Sequence, residues 1–314
     1  ENGTGVRYRT PASSILVKAE FKQGMVKLEV NSEARASSFT GWYDTLHQAY
    51  EAAVEKVEQN TSDYRITATL LAGNTTDAAP EGYKGLVYQN GDAGKTGVTA
   101  VDRSAVEGNF SAAIDLNGYA LDFQKLPTLN LDNMDTTIRN GLLIHHAGAD
   151  GSAKNNIIEF ASGTLTVSDL TIQGEEETKY TVKAGMGGAL TIGKNCALGD
   201  VYLESDAENP DSNDTLTNAA HVMVTSDFLS EQTAETVATL YFGRYTFPNG
   251  SRQAIIMDNV AEEGTGNKVR AKFKLGDGET HEGSETTDHS AGWFIGTDGK
   301  LYKKIKAVVP QLVC

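Results

Sequence analysis

The sequence predicts an all-β solenoid whose first open end is covered by one amphipathic helix. Three observations lead there. Residues 163–172 (GTLTVSDLTI) and Gly188–Ile192 (GALTI) share a register in which a glycine precedes alternating aliphatics, Leu165/Val167 in one and Leu190/Ile192 in the other. Alternation marks a half-buried strand, and recurrence at about 25 residues marks units that stack because none can bury its apolar face alone. Second, only residues 44–59 carry a helical stripe, so helix and strand do not alternate along the chain, which argues against doubly wound sheets and TIM barrels. Third, glycine is plentiful (32) and proline scarce (6), which suits short strands joined by tight turns. A β-sandwich is the competing architecture; the repeated Gly-x-Leu-Thr-aliphatic register and the helix favour the solenoid.

The chain opens with residues 14–21 (SILVKAEF) and 25–30 (MVKLEV), both alternating, with Lys22-Gln23-Gly24 between them as a hairpin turn. Residues 1–40 are therefore expected as an N-terminal strand pair or leader segment, ahead of a β-helix domain over 41–314. In the helix, Leu46, Ala49, Tyr50, Ala53, Val54 and Val57 form one stripe, with Asp44 as the expected N-cap. Placed before a strand array, such a helix covers the open end of the stack. Strands are then expected at 64–71, 85–88, 112–122, 128–138, 141–145, 156–172, 188–192, 201–204, 221–224, 238–247, 254–257, 269–275 and 293–305. Asn117-Gly118, Ser168-Asp169 and Gly193-Lys194-Asn195 occupy corresponding turns. Polar excursions interrupt the array at 206–217 and 276–290.

Charge narrows the function classes. A formal net charge of −15 disfavours nucleic-acid and anionic-membrane partners, which require clustered Lys and Arg. No apolar run approaches the roughly 18–20 residues a membrane helix needs. The first residue is Glu1, expected to follow a removed signal peptide or an expression boundary. The two cysteines, Cys196 and Cys314, make neither a disulfide framework nor a zinc motif, and a bridge between them stays open. Cys196 is expected to pack as a small apolar residue.

Several segments together carry a resemblance. Tyr43-Asp44-Thr45-Leu46-His47-Gln48-Ala49 precedes a strand at 66–71, IDLNGYAL stands at 114–121, GxLTI strands follow, and GTDGKLY closes the series at 296–302. This combination resembles the β-helix (pectate-lyase-like) domains of large cell-surface, adhesin-like proteins of gut Firmicutes, over roughly residues 40–305. The resemblance implies a right-handed parallel β-helix, export, and cell-wall attachment through parts not present here; with no LPxTG signal, the chain would be a fragment of something longer. It carries no catalytic residues.

The expected function is thus a non-catalytic extracellular surface module, adhesin-like or structural, presenting a rigid face and loops to a glycan or a host or bacterial surface protein. The alternatives are a carbohydrate-active enzyme on a β-helix, and a self-assembling filament subunit whose N-terminal strands 14–30 complete a neighbour's sheet. Tyr180, Tyr202, Tyr241 and Tyr245 are the candidate binding residues, since residues two or four apart on a strand share a side and aromatic rows suit sugar or protein docking. The competing reading packs these rings as cross-strand stacks. Asp206, Glu208, Asp211 and Asp214 supply hard oxygens for calcium, against the plainer reading of a solvated acidic loop, because EF-hand spacing is missing. No catalytic residue is assigned. Carboxylates such as Asp115, Asp122, Asp135, Asp169, Asp200 and Glu204 fall mostly at turns, where Asp bonds nearby backbone.

Overall fold

The computed structural model describes residues 8–10, 13–15, 25–32, 38–57, 64–73, 75–88, 110–122, 129–130, 135–145, 156–174, 178–204, 219–242, 255–256, 265–276 and 293–303. Among them the chain is mostly β, built on long parallel sheets, and solenoid-like in its path. No helix among the described residues is long and apolar enough to cross a membrane.

Strands β1 (Tyr8–Thr10) and β2 (Ser13–Ile15) pair antiparallel with each other. Strand β3 (Val26–Ser32) pairs antiparallel with β4 (Ser38–Tyr43) on one edge and, across helix α1 (Leu46–Val57), with β5 (Tyr64–Leu70) on the other. The hairpin expected between residues 14–21 and 25–30 is corrected by this arrangement. Both edges of β3 are occupied, so its backbone groups have no edge left for a third strand. The division expected at 40/41 passes through β4, and β3 lies within the main sheet.

Helix α1 buries the predicted stripe, Leu46, Ala49, Tyr50, Ala53, Val54 and Val57, together with His47, against β3, β4 and β5. Its cap is Thr45 rather than Asp44. The Thr45 hydroxyl accepts from Gln48 N at 3.1 Å and its carbonyl from Ala49 N, while Gln48 Oε1 reaches back to Asp44 N at 3.2 Å. The Tyr50 hydroxyl donates to the Ala113 carbonyl at 3.3 Å and ties the helix to the strand array; burial raises its pKa well above the ordinary value.

The array continues with β6 (Leu86–Tyr88), β7 (Phe110–Asp115), β8 (Ala120–Asp122), β9 (Leu129–Asn130), β10 (Asp135–His145), β11 (Ile158–Phe160) and β12 (Gly163–Gly174). Next come β13 (Val182–Ala184), β14 (Gly188–Ile192), β15 (Gly199–Leu203), β16 (His221–Val224), β17 (Ala238–Phe242) and β18 (Ile255–Ile256). Helix α2 (Thr265–Arg270) leads into β19 (Phe273–Leu275), and β20 (Trp293–Ile295) pairs antiparallel with β21 (Leu301–Lys303). The strand expected over 269–275 is thus helix at its start, with Val269 fully buried from α2.

From β9 to β19 successive strands alternate between two sheets. One runs β18-β16-β14-β12-β10-β7-β5-β3-β4, with β6 and β8 joined through β10; the other runs β19-β17-β15-β13-β11-β9. From β5 onward the pairing within both is parallel, so each circuit of the chain adds one rung to each sheet. The predicted register holds residue for residue: Gly163 opposes Gly188, Leu165 opposes Leu190 and Val167 opposes Ile192. Leu165, Val167, Leu170 and Ile172 are all buried, as alternation requires.

Strands β10 and β12 turn a corner midway. Before the corner β10 pairs with β7, and after it with β8. Each corner holds one residue in the left-handed region: Asn117 (φ 49°), Asn140 (61°), Asp169 (48°) and Asn195 (51°). Asn and Asp tolerate that conformation because their short polar groups bond locally.

Candidate functional site

On the smaller sheet the inward residues are Ile158 and Phe160, Val182 and Ala184, Val201 and Leu203, and Leu240 and Phe242, all in the central core. The residues between them face the other way and align across the rungs: Glu159 opposes Lys183, Lys183 opposes Tyr202, and Tyr202 opposes Tyr241. This outward row carries both charged and aromatic side chains. It starts as an ion pair and ends as an aromatic cluster.

The aromatic end corrects an expectation. Tyr180, Tyr202 and Tyr241 are 2%, 3% and 8% exposed and form a small hydrophobic cluster of their own. Tyr180 stacks on Tyr202 with ring centroids 4.9 Å apart and meets Tyr241 at 5.4 Å with a tilt of 54°. The rings are outward of the sheet yet covered, because they cover one another and because Tyr241 lies where a Cβ on Gly276 would otherwise stand. For these three, the exposed row is replaced by the cross-strand stack. Tyr245 and the acidic set Asp206, Glu208, Asp211 and Asp214 lie outside the described residues.

At the other end, Lys183 Nζ sits 2.7 Å from Glu159 Oε1, and Asn156 Nδ2 donates to Glu159 Oε2 at 3.2 Å. Burial works against the charge on Lys183, but the hydrogen bond and charge of Glu159, helped by Glu204 and Tyr202, outweigh it and hold the ammonium above its ordinary pKa. Asn156 is 8% exposed, whereas the side chains of Lys183 and Glu159 are 29% and 37% exposed. One carboxylate therefore holds an amine from the next rung and a buried carboxamide from its own. Sequence reasoning missed all three residues. The strand expected over 156–172 runs through IEF without singling out Glu159, and the single polar residue in VKA is too short a pattern to declare a strand.

Family models, curated proteins and solved structures yield no match to this chain.

The outward face of the larger sheet is plainer. Ala113, Thr137, Thr166, Thr191 and Met223 oppose one another in series on β7, β10, β12, β14 and β16, all half-buried. The carboxylates near this face are engaged in the scaffold. Asp115 accepts from Asn117 N, Asn140 Nδ2 and Arg139 Nε, and Asp135 accepts from Thr164 N at 3.0 Å. Among the described residues no group of three or more His, Cys, Asp or Glu is placed to hold a metal ion.

Proposed function

We propose that this chain is a right-handed parallel β-helix serving as a non-catalytic extracellular surface module, which displays a stiff face to a glycan or a surface protein. The observation that carries the reading is the outward row from Ala113 to Met223, set at successive parallel rungs about 4.8 Å apart. Backbone pairing fixes that spacing before any partner arrives, so binding costs little ordering entropy. Right-handedness follows the general preference of parallel strand crossovers within one sheet. The resemblance to β-helix domains of adhesin-like surface proteins adds export and cell-wall attachment to the proposal.

Two features weigh against the alternatives. Asp115 and Asp135 serve the corners and rungs, where a glycosidase would set two carboxylates across a cleft. Donation of residues 25–30 to a neighbour's sheet would require freeing a strand already paired on both edges.

The test is a glycan array and a panel of surface proteins, with a parallel turnover assay on mucin glycans, pectins and plant polysaccharides. Binding without turnover is expected, and turnover of any substrate overturns the reading. Repeating the binding with a chelator reads whether Asp206, Glu208, Asp211 and Asp214 contribute a calcium site.

A further inference from the structure

Glu159 presents its two oxygens to two different reactants. Oε1 takes the Lys183 ammonium at 2.7 Å and Oε2 takes the Asn156 amide nitrogen at 3.2 Å. Lys183 and Glu159 are register partners on β13 and β11, and Asn156 lies just ahead of β11, beside Tyr180, whose carbonyl accepts from Ile157 N. The amide end is buried, and the tyrosine stack begins with Tyr180 just ahead of β13 and continues with Tyr202 one rung beyond Lys183. An amine and a carboxamide held on one carboxylate are the three parts of an amide exchange.

We propose that Lys183, Glu159 and Asn156 form a modification site at which the Lys183 amine displaces ammonia from the Asn156 side chain. The product is an isopeptide bond joining adjacent rungs. The Lys183 ammonium passes a proton to Glu159 Oε1 along the existing hydrogen bond. The neutral Nζ attacks Asn156 Cγ, forming the new C–N bond. Glu159 protonates the departing Nδ2, the Cγ–Nδ2 bond breaks, and the surplus proton from Nζ returns to the carboxylate. That proton leaves with ammonia as ammonium, and Glu159 ends as the carboxylate it began. Atoms and charge balance with no oxidant, reductant or activated co-reactant.

The groups facing Lys183 set its rate. Glu159, Glu204 and Tyr202 favour the ammonium over the amine, so the bond forms slowly in the folded chain. The reactive amine–acid pair carries as many protons as the resting ion pair. Its population is therefore level across the neutral range.

The test is proteolysis and fragment mass spectrometry of the full chain after prolonged incubation at neutral pH. A branched peptide is expected that joins the fragment holding Asn156 to the fragment holding Lys183, lighter than their sum by one ammonia. Lys183→Arg and Glu159→Gln are expected to lose that peptide entirely. The unmodified chain carries the decisive result, so poor folding of a variant does not spoil it. Absence of the branched peptide overturns the proposal, and so does ammonia loss traced instead to a cyclic imide at Asn117-Gly118 or Asn140-Gly141. A Glu159→Gln chain that cross-links as fast as the unmodified chain overturns the role given to Glu159.

Discussion

Asn140 donates its side-chain amide to the carboxylate of Asp115 on the preceding rung at 3.0 Å, while its own backbone stands at φ 61°. The same carboxylate accepts from Asn117 N at 2.9 Å and from Arg139 Nε at 3.1 Å. One aspartate thus closes the corner of its own rung and aligns the next. Asn140→Ala is expected to cost about 2–3 kcal/mol, from left-handed strain on a Cβ residue and from lost hydrogen bonding. Asn140→Gly relieves the strain and is expected to cost about 1 kcal/mol less. Urea unfolding of both variants checks the order, and an alanine variant no weaker than the glycine variant contradicts it.

The neighbouring Gly141 is constrained by space. A Cβ there would come within 2.5 Å of Leu116 Cβ and of the Tyr119 carbonyl oxygen, and a backbone oxygen cannot step aside as a side chain can. Gly141→Ala is expected to destabilise by about 2–3 kcal/mol through overpacking. A thermal midpoint within a degree of the unmodified chain would show that the rungs separate more easily than their hydrogen bonds suggest.

The corners show what a sequence can and cannot declare. Asn117-Gly118, Ser168-Asp169 and Gly193-Lys194-Asn195 were legible because those residue types announce a left-handed turn. Asn140 reads instead as a gap between two strands, although β10 runs through it. Alternation identified Leu165, Val167, Leu170 and Ile172 because β12 is long enough to repeat its pattern. The three-residue strands β11 and β13 are not, so the Glu159–Lys183 row could not be seen. Alternation also fails to choose strand partners: β3 looks ready for a local hairpin with residues 14–21 and pairs with β4 and the distant β5. Parity placed Tyr202 outside the central core, but whether an outward face is covered depends on residues remote in sequence.

Covered rings respond differently from exposed ones. Tyr202 is 3% exposed and stacked on Tyr180, so Tyr202→Ala is expected to cost about 3 kcal/mol or more. Tyr202→Phe keeps the ring and is expected to stay within about 1 kcal/mol. Denaturant midpoints measure both, and near-UV circular dichroism reports the loss of the stack. A Tyr202→Ala cost below about 0.5 kcal/mol would mark the ring as a surface group after all.

Cys196 offers a pH-dependent reading of the same packing. Its side chain is buried, Sγ contacts the Lys194 carbonyl at 3.3 Å, and desolvation, with smaller contributions from Asp169 and Asp227, pushes the thiol up to about 12. A raised folded pKa means that folding favours the protonated thiol. That contribution to stability is complete below the unfolded value of about 8.5 and is lost as pH rises through about 12. The thiolate is the reactive form, so at about pH 8.5 alkylation in the folded chain is expected to run on the order of a thousandfold slower than in denaturant. Peptide mapping assigns the label to Cys196 and separates it from Cys314. Equal labelling of Cys196 in folded and denatured chains would mean that the rung behind the Asp169 corner opens to solvent, and the stacked core would then be looser than its burial implies.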